Sequence, residues 1–273
     1  MRKTTRTTLI VGGNGKTGRR VAERLRASGL PYRLVSWSSV PAFDWNDERT
    51  WAAALDGMRA AYITYAPDLA VPWAAEHVRR FVQRAVGAGV EKVVLLAGRG
   101  EPQVHPAEEA VRNSGADFTV LEAAFFAQNF SEGVLAPPDG EIVFPAGNVA
   151  EPFVDVDDIA DVAVAALTED SHAGRTYELT GPRLLTFEAV AEEIAASSGR
   201  PMRYRPVTSD EYAELLASHM PAEEAAFLVE LFAYLTDGHN AHLADGVERA
   251  LGRSPRDFRD FARTAASAGA WVR

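Results

Sequence analysis

Gly12, Gly15 and Gly18 stand three residues apart, directly behind the apolar run Thr8-Leu9-Ile10-Val11. An amphipathic stretch begins at Lys16. A strand, a tight turn and a helix start within eleven residues leave free N–H groups and a positive dipole end beside backbone that no side chain shields. That arrangement suits a pyrophosphate, and the spacing is the one used for a dinucleotide. Asn14, Lys16 and Thr17 lie within the turn, where each has the chemistry to reach phosphate; Lys16 reads equally well as a solvated helix residue.

The next informative place is the end of the second apolar run, Tyr32-Arg33-Leu34-Val35. An Asp or Glu there takes the ribose hydroxyls of NAD. This chain has Ser36-Trp37-Ser38-Ser39 and no acid. The serine hydroxyls, Ser38 among them, suit a phosphate, and Arg33 or Lys16 could supply positive charge, so NADP(H) is expected over NAD(H). Trp37 has two readings, a platform for adenine or ordinary packing. Asp44 also has two, a contact near adenine or a turn cap.

The elements that position these residues follow from hydrophobic periodicity. Lys16–Ser28 carries Val21, Ala22 and Leu25 on one face and stops at Gly29. Phe43-Asp44-Trp45 reads as a short strand, and 48–55 as a helix closed by Gly57. Residues 60–66 form a strand, 73–86 a helix, and Val93-Val94-Leu95-Leu96-Ala97 a strand buried on both faces. A helix over 106–114 and a strand over 118–121 follow. Alternation at this pace predicts an α/β fold with a doubly wound parallel sheet. Beyond about residue 130 the rhythm changes. Pro137-Pro138-Asp139-Gly140 reads as a turn and 141–144 as a strand. A helix over 156–167 begins among Asp155, Asp157 and Asp158, which complement its dipole. Later come a strand over 177–180, a helix capped by Thr186, a strand over 202–206, a helix capped by Ser209, one opened at Pro221 and two tail helices over 241–251 and 255–268.

Composition narrows the function classes. The 273 residues are 47% hydrophobic, with 28 basic against 38 acidic side chains and a net charge of −10. Such a surface repels phosphate backbones and anionic lipid, so neither nucleic acid nor membrane is expected as partner. There is no cysteine, which excludes disulfides, thiol catalysis and thiolate metal sites. The basic start, Met1 to Thr8, lacks an apolar h-region and does not read as a signal peptide; no apolar run approaches 18 residues. A cytoplasmic location is the expectation. The carboxylates at 155, 157 and 158 lack the glycine and distal glutamate of a calcium loop, and no metal is expected.

Three stretches together resemble the NmrA-like family of atypical short-chain dehydrogenases/reductases: Gly12-Gly13-Asn14-Gly15-Lys16-Thr17-Gly18; Thr119-Val120-Leu121-Glu122-Ala123-Ala124-Phe125-Phe126-Ala127-Gln128-Asn129-Phe130; and Glu151-Pro152-Phe153-Val154-Asp155-Val156-Asp157-Asp158-Ile159-Ala160 with Tyr177-Glu178-Leu179-Thr180-Gly181-Pro182. The resemblance spans essentially the whole chain. It implies a Rossmann domain over 1–132 and a smaller, mostly helical C-terminal cap over 133–273, with helix 156–167 and strand 177–180 returning to the Rossmann sheet. It implies a dinucleotide across the carboxyl ends of the strands and a substrate cleft between domain and cap. Ala97 and Gly98 then join the cofactor contacts, as does Phe125. Phe126, Gln128, Asn129 and Phe153 fall in loops near nicotinamide and substrate. Relatives usually carry arginine where Glu122 stands, which would put a negative charge near the cleft entrance.

Classical members of the superfamily place a serine after the strand ending at Ala97-Gly98 and a Tyr-x-x-x-Lys pair in the next helix, with tyrosine as proton donor. Here no tyrosine lies between Tyr65 and Tyr177 and no lysine follows Lys92. Tyr65, at the end of its strand, and His105, in the loop before the next helix, are the candidate catalytic groups. Glu101 ranks below them. In the cap, Phe232 within a helical stripe and His239 in a turn are candidates for the cleft, with core packing and simple exposure as the rival readings. The function that follows is NAD(P)H-dependent reduction of a quinone or other conjugated carbonyl, of an aromatic polyketide-like kind. A redox sensor binding NAD(P) without turnover is the alternative, and a non-redox isomerase or cyclase a further one. The expected partner is a small aromatic or quinone-like molecule, with a homodimer as the assembly considered.

Overall fold

A computed structural model describes residues 7–133, 135–137 and 139–271. Pro138 of the expected turn and most of the basic start lie outside the described residues. In chain order the elements are β1 (Thr8–Val11), α1 (Lys16–Ala27), β2 (Tyr32–Val35), α2 (Trp51–Leu55), β3 (Ala60–Ile63), α3 (Ala74–Gly87), β4 (Lys92–Gly98), α4 (His105–Arg112), β5 (Asp117–Ala123), α5 (Asn129–Glu132), β6 (Glu141–Phe144), β7 (Ala150–Glu151), α6 (Val156–Thr168), β8 (Arg175–Leu179), β9 (Leu185–Thr186), α7 (Phe187–Ser198), β10 (Arg203–Pro206), α8 (Ser209–Ala217), α9 (Ala222–Leu235), α10 (Gly246–Leu251) and α11 (Phe258–Ser267). Among the described residues no helix is long and apolar enough to cross a membrane.

The chain forms two compact units. The first takes residues through Ala123, then Val156–Leu179 and Asp245–Arg253; the second takes Ala124–Asp155, Thr180–Ala244 and Ser254–Arg273.

In the first unit six parallel strands form one sheet in the order β2-β1-β3-β4-β5-β8. Every residue of β1 and β3 is buried, as expected of parallel strands covered on both faces. Helix α1 packs beside α6, and α3 beside α4, so the sheet is doubly wound. Strand order reverses between β1 and β3, where an open α/β sheet presents its ligand crevice. Helix α1 buries Val21, Ala22 and Leu25. Its Arg24 reaches Asp157 at 2.7 Å and Asp161 at 2.5 Å on α6, while Arg253 reaches Asp158 and Asp161, each at 2.7 Å.

Residues 43–45 do not form the expected strand. Only a single bridge joins Asp44 to Asp47. The backbone there is diverted: the Asp44 carbonyl accepts from Trp51 Nε1 at 2.8 Å, and its carboxylate from the Asn46 N–H at 2.8 Å. The side chains still behave as a strand's would, because Phe43 and Trp45 both enter an aromatic cluster with Trp51 and Phe81.

The second unit holds two small sheets, parallel β6–β10 and antiparallel β7–β9, with helices α7, α8, α9 and α11. Its core is aromatic: Phe130, Phe144, Phe153, Phe187, Phe232 and Phe258. Thr208, rather than Ser209, caps α8, in a reciprocal capping box with Glu211. The tail helices are shorter than the periodicity suggests. Helix α11 starts only after Asp257, whose side chain accepts from the Arg259 N–H.

Candidate functional site

The turn after β1 has the geometry a pyrophosphate needs. Gly12 sits at φ +75°, which an L side chain resists. The Gly15 N–H donates to Gly12 O at 2.9 Å and closes the turn. A Cβ on Gly18 would lie 2.5 Å from Gly12 O and 2.9 Å from Gly13 Cα, so only glycine lets α1 approach the strand end this closely. Gly15 provides no side-chain cap, and the first turn of α1 carries no acidic residue. The orphan N–H groups and the dipole are therefore neither satisfied nor opposed by a side chain there. These residues fit a dinucleotide phosphate. Asn14 is exposed, Lys16 half-buried and Thr17 buried.

At the end of β2, Asn14 Nδ2 donates to Ser36 Oγ at 3.1 Å, and Ser36 Oγ lies 3.3 Å from Ser38 Oγ. A run of neutral hydrogen-bonding groups thus borders the glycine turn. Ser39 ties the loop by accepting from the Ser36 N–H and donating to Ser36 O and Pro41 O. Trp37 is 82% exposed, which excludes packing as its role within the described residues. Arg33 does not serve this place. Its Nη1 donates to the carbonyls of Ala53, Ala54 and Asp56 at 3.1, 2.9 and 2.8 Å, compensating the C-terminal end of α2. The expected positive charge from Arg33 is therefore corrected. Asp44 is exposed and caps its own turn.

The ends of β3 and β4 lie next along the crevice. Thr64 Oγ1 donates to Val11 O at 3.0 Å and ties the end of β3 to β1. The Tyr65 hydroxyl lies 2.7 Å from His77 Nδ1, its ring 4.8 Å from that of Trp45, and burial pushes its phenol up to about 12. On β4, Ala97 is buried and Gly98 half-buried. The carboxyl of Glu101 folds back over Gly98: a Cβ there would meet Glu101 Oε1 at 1.8 Å and Oε2 at 2.7 Å. Glu101 is 7% exposed. Burial, reinforced by the negative charge of Asp68 beyond β3, pushes its carboxyl up to about 8. Burial pushes Asp68 up as well, against the Ala70 N–H that its carboxylate accepts at 2.8 Å. Asp68 had no mark in the sequence beyond its place before the apolar Leu69-Ala70-Val71.

His105 is the first residue of α4 and is exposed. Glu122 does not add a bare charge. It lies among Glu108, Arg112 and Glu178, where burial, then the charges of Glu108 and Glu178, push its carboxyl up.

The remaining residues belong to the second unit. Phe125 is half-buried, with its ring 6.0 Å from Phe144, 6.3 Å from Phe153 and 6.2 Å from Phe232. Phe153 and Phe232 are buried in the same cluster. The Phe126–Ala127 backbone pairs with Val154. Gln128 Nε2 donates to Asp155 Oδ1 at 2.7 Å with both side chains buried, and Asn129 opens α5. His239 is exposed, paired through Nδ1 with Asp237. Among the described residues no group of acidic and histidine side chains has a metal-binding arrangement.

Known proteins resemble this chain over nearly its whole length. The chain is 32% identical over 276 residues to agroclavine dehydrogenase of Claviceps fusiformis, covering 93% of this chain and 96% of that one. It is 29% identical over 283 residues to the NAD(P)H azoreductase of Xenophilus azovorans, covering 95% and 98%. Among solved structures it is similar to the Citrobacter sp. triphenylmethane reductase complexed with NADP(H), with TM-score 0.77, 19% identity and coverage of 95% and 99%. No family model matches the chain.

Proposed function

The chain belongs to the NmrA-like family of atypical short-chain dehydrogenases/reductases and is an NAD(P)H-dependent oxidoreductase, and on that premise we propose that it reduces a quinone or another conjugated, aromatic acceptor. The reading is supported by a dinucleotide turn in a sequence that contains no Tyr-x-x-x-Lys pair. Gly12, Gly15 and Gly18 let the backbone close on the pyrophosphate, and the first turn of α1 stabilises its charge. A reduced nicotinamide dinucleotide bound by these residues would supply the hydride. The Tyr65 phenol, held against His77 and pushed up by burial, makes a weak acid. A conjugated acceptor suits such a site, because delocalisation leaves its reduced oxygen or nitrogen less dependent on strong acid assistance than a simple ketone.

NADP(H) is the proposed dinucleotide. The hydrogen-bonding groups of Asn14, Ser36 and Ser38 at the end of β2, with no carboxylate at positions 36–39, support a 2′-phosphate over a free ribose hydroxyl. We propose a cytoplasmic location, with which the cysteine-free sequence is compatible.

The test is oxidation of NADPH, followed by loss of reduced-nicotinamide absorbance, across a panel of quinones, azo compounds and cationic dyes. Turnover with quinones, and tighter binding of NADPH than NADH by fluorescence titration, are expected. Bound NADPH with no turnover across the panel would overturn the function; equal affinities would overturn the choice of dinucleotide.

A further inference from the structure

A buried carboxyl stands at the end of β4. Glu101 follows β4, and its carboxyl occupies the space that a side chain on Gly98, the last residue of that strand, would fill. Strand β4 adjoins β3, and β3 adjoins β1 with its glycine turn. The carboxyl therefore lies along the strand ends across which a dinucleotide is laid. Among the described residues no hydrogen bond or ion pair holds it. Arg99, two residues away, is directed to Glu178, with Nε donating to Oε2 at 2.9 Å. Burying an acid to 7% exposure without a hydrogen bond or a cation carries a desolvation cost that a purely structural role does not repay.

We propose that Glu101 is a catalytic residue of this reductase, the proton donor to the acceptor heteroatom that hydride transfer leaves negatively charged. The inference rests on the reductase reading above. The balance is simple: hydride brings two electrons and one hydrogen from the reduced dinucleotide to the acceptor. The O–H bond of Glu101 breaks as an O–H or N–H bond forms on the acceptor, and the resulting carboxylate takes its proton back from water. The groups that face the carboxyl favour the neutral form. Gly98 brings no charge, and Asp68 brings a negative one. A carboxyl that stays protonated up to about pH 8 is a better donor at neutrality than the Tyr65 phenol and has a pKa near the operating pH. Quinones and azo compounds, which take up a proton along with the hydride, would draw on this acid, whereas cations that hydride alone neutralises would not.

The experiment compares wild type with Glu101→Gln and Glu101→Asp, using two acceptors. A benzoquinone needs both hydride and proton; a cationic triarylmethane dye needs hydride only. Glu101→Gln is expected to lower the ratio of quinone to dye rates by about 100-fold and to abolish the loss of quinone activity as pH rises through about 8. Glu101→Asp is expected to recover part of the ratio. Independently of turnover, infrared difference spectra of the cofactor-free protein should show a protonated carboxyl band that titrates near 8 and is missing in Glu101→Gln. An unchanged rate ratio, an unchanged alkaline limb or the absence of that band would each overturn the assignment. Wild type that binds NADPH and reduces neither acceptor would instead overturn the reductase reading on which it rests.

Discussion

Gly18→Ala and Gly15→Ala separate what the glycine turn does for the fold from what it does for the ligand. At position 18 two effects compete. Alanine in a helix gains about 1 kcal/mol over glycine, while overpacking costs ~1–3 kcal/mol. The contacts decide which wins. The new Cβ would sit 2.5 Å from Gly12 O and 2.9 Å from Gly13 Cα, and both are backbone atoms with no rotamer to move. Relief requires α1 to withdraw from the turn by about 1 Å, the shortfall from an ordinary contact of 3.4 Å. The expected net loss is up to about 2 kcal/mol of stability in denaturant titration. NADPH affinity should weaken by at least about tenfold, because a displacement of that size removes good hydrogen-bond geometry at the phosphate. Gly15 is different. It is exposed, and a Cβ there would meet only Gly12 O, at 3.1 Å, at φ −74° and ψ 172°, values any residue adopts. Gly15→Ala should leave the denaturation midpoint close to wild type and still weaken NADPH, because the methyl stands between the ligand and the helix start. Wild-type NADPH affinity in Gly18→Ala, or equal loss of stability in both variants, would refute the reasoning.

Stability of Glu101→Gln should depend on pH in a defined direction. The wild-type carboxyl rises from 4.5 to about 8 on folding. The native state is therefore unpenalised below about pH 4.5 and loses stability as pH rises to about 8, by at most about 5 kcal/mol at 1.36 kcal/mol per unit. The variant should gain on wild type in denaturant titrations above that window and not below it; a difference independent of pH would contradict the burial argument. Trp37→Ala should leave the thermal midpoint within a degree or two of wild type, since the ring is 82% exposed, and should weaken NADPH by about three- to tenfold if adenine stacks on it; unchanged affinity would remove Trp37 from the site. Arg24→Ala should destabilise by about 1–3 kcal/mol, because it leaves Asp157 and Asp161 on α6 short of the cation that reaches both. Recovery in an Arg24→Ala, Asp161→Ala double variant would confirm the pairing by a mutant cycle.

The parts of this protein legible in the sequence are those encoded over short spans. The apolar run, three spaced glycines and amphipathic helix that form the turn are contiguous, and the central strands β1, β3 and β4 are short apolar runs in their own right. Sequence could not say where long side chains go. Arg33 looks available for phosphate, yet it is spent on the carbonyls of α2, a choice made only when β2 and α2 come together. The sequence ranks Glu101 only below Tyr65 and His105. Its protonation depends on burial and on Asp68, 33 residues earlier in another loop, and no local pattern distinguishes an acid over Gly98 from one in solvent. Phe43 and Trp45 show the reverse case. Their alternation is legible and their rings are buried, but the hydrogen bonds that Asp44 accepts, from Trp51 Nε1 at its carbonyl and from the Asn46 N–H at its carboxylate, prevent a strand.

The threading of the first unit governs how this protein can be made. During synthesis, a chain that has emerged only as far as Ala123 holds five of its six strands, and β5 still has an open edge. The strand that covers it, Arg175–Leu179, is made more than fifty residues later. Helix α10, which lies against both β8 and α6, is among the last elements translated. An N-terminal half stopped after β5 is therefore left with an unpaired apolar strand and an uncovered sheet face, the features that invite edge-to-edge association. The first unit is complete only once Arg253 has been made.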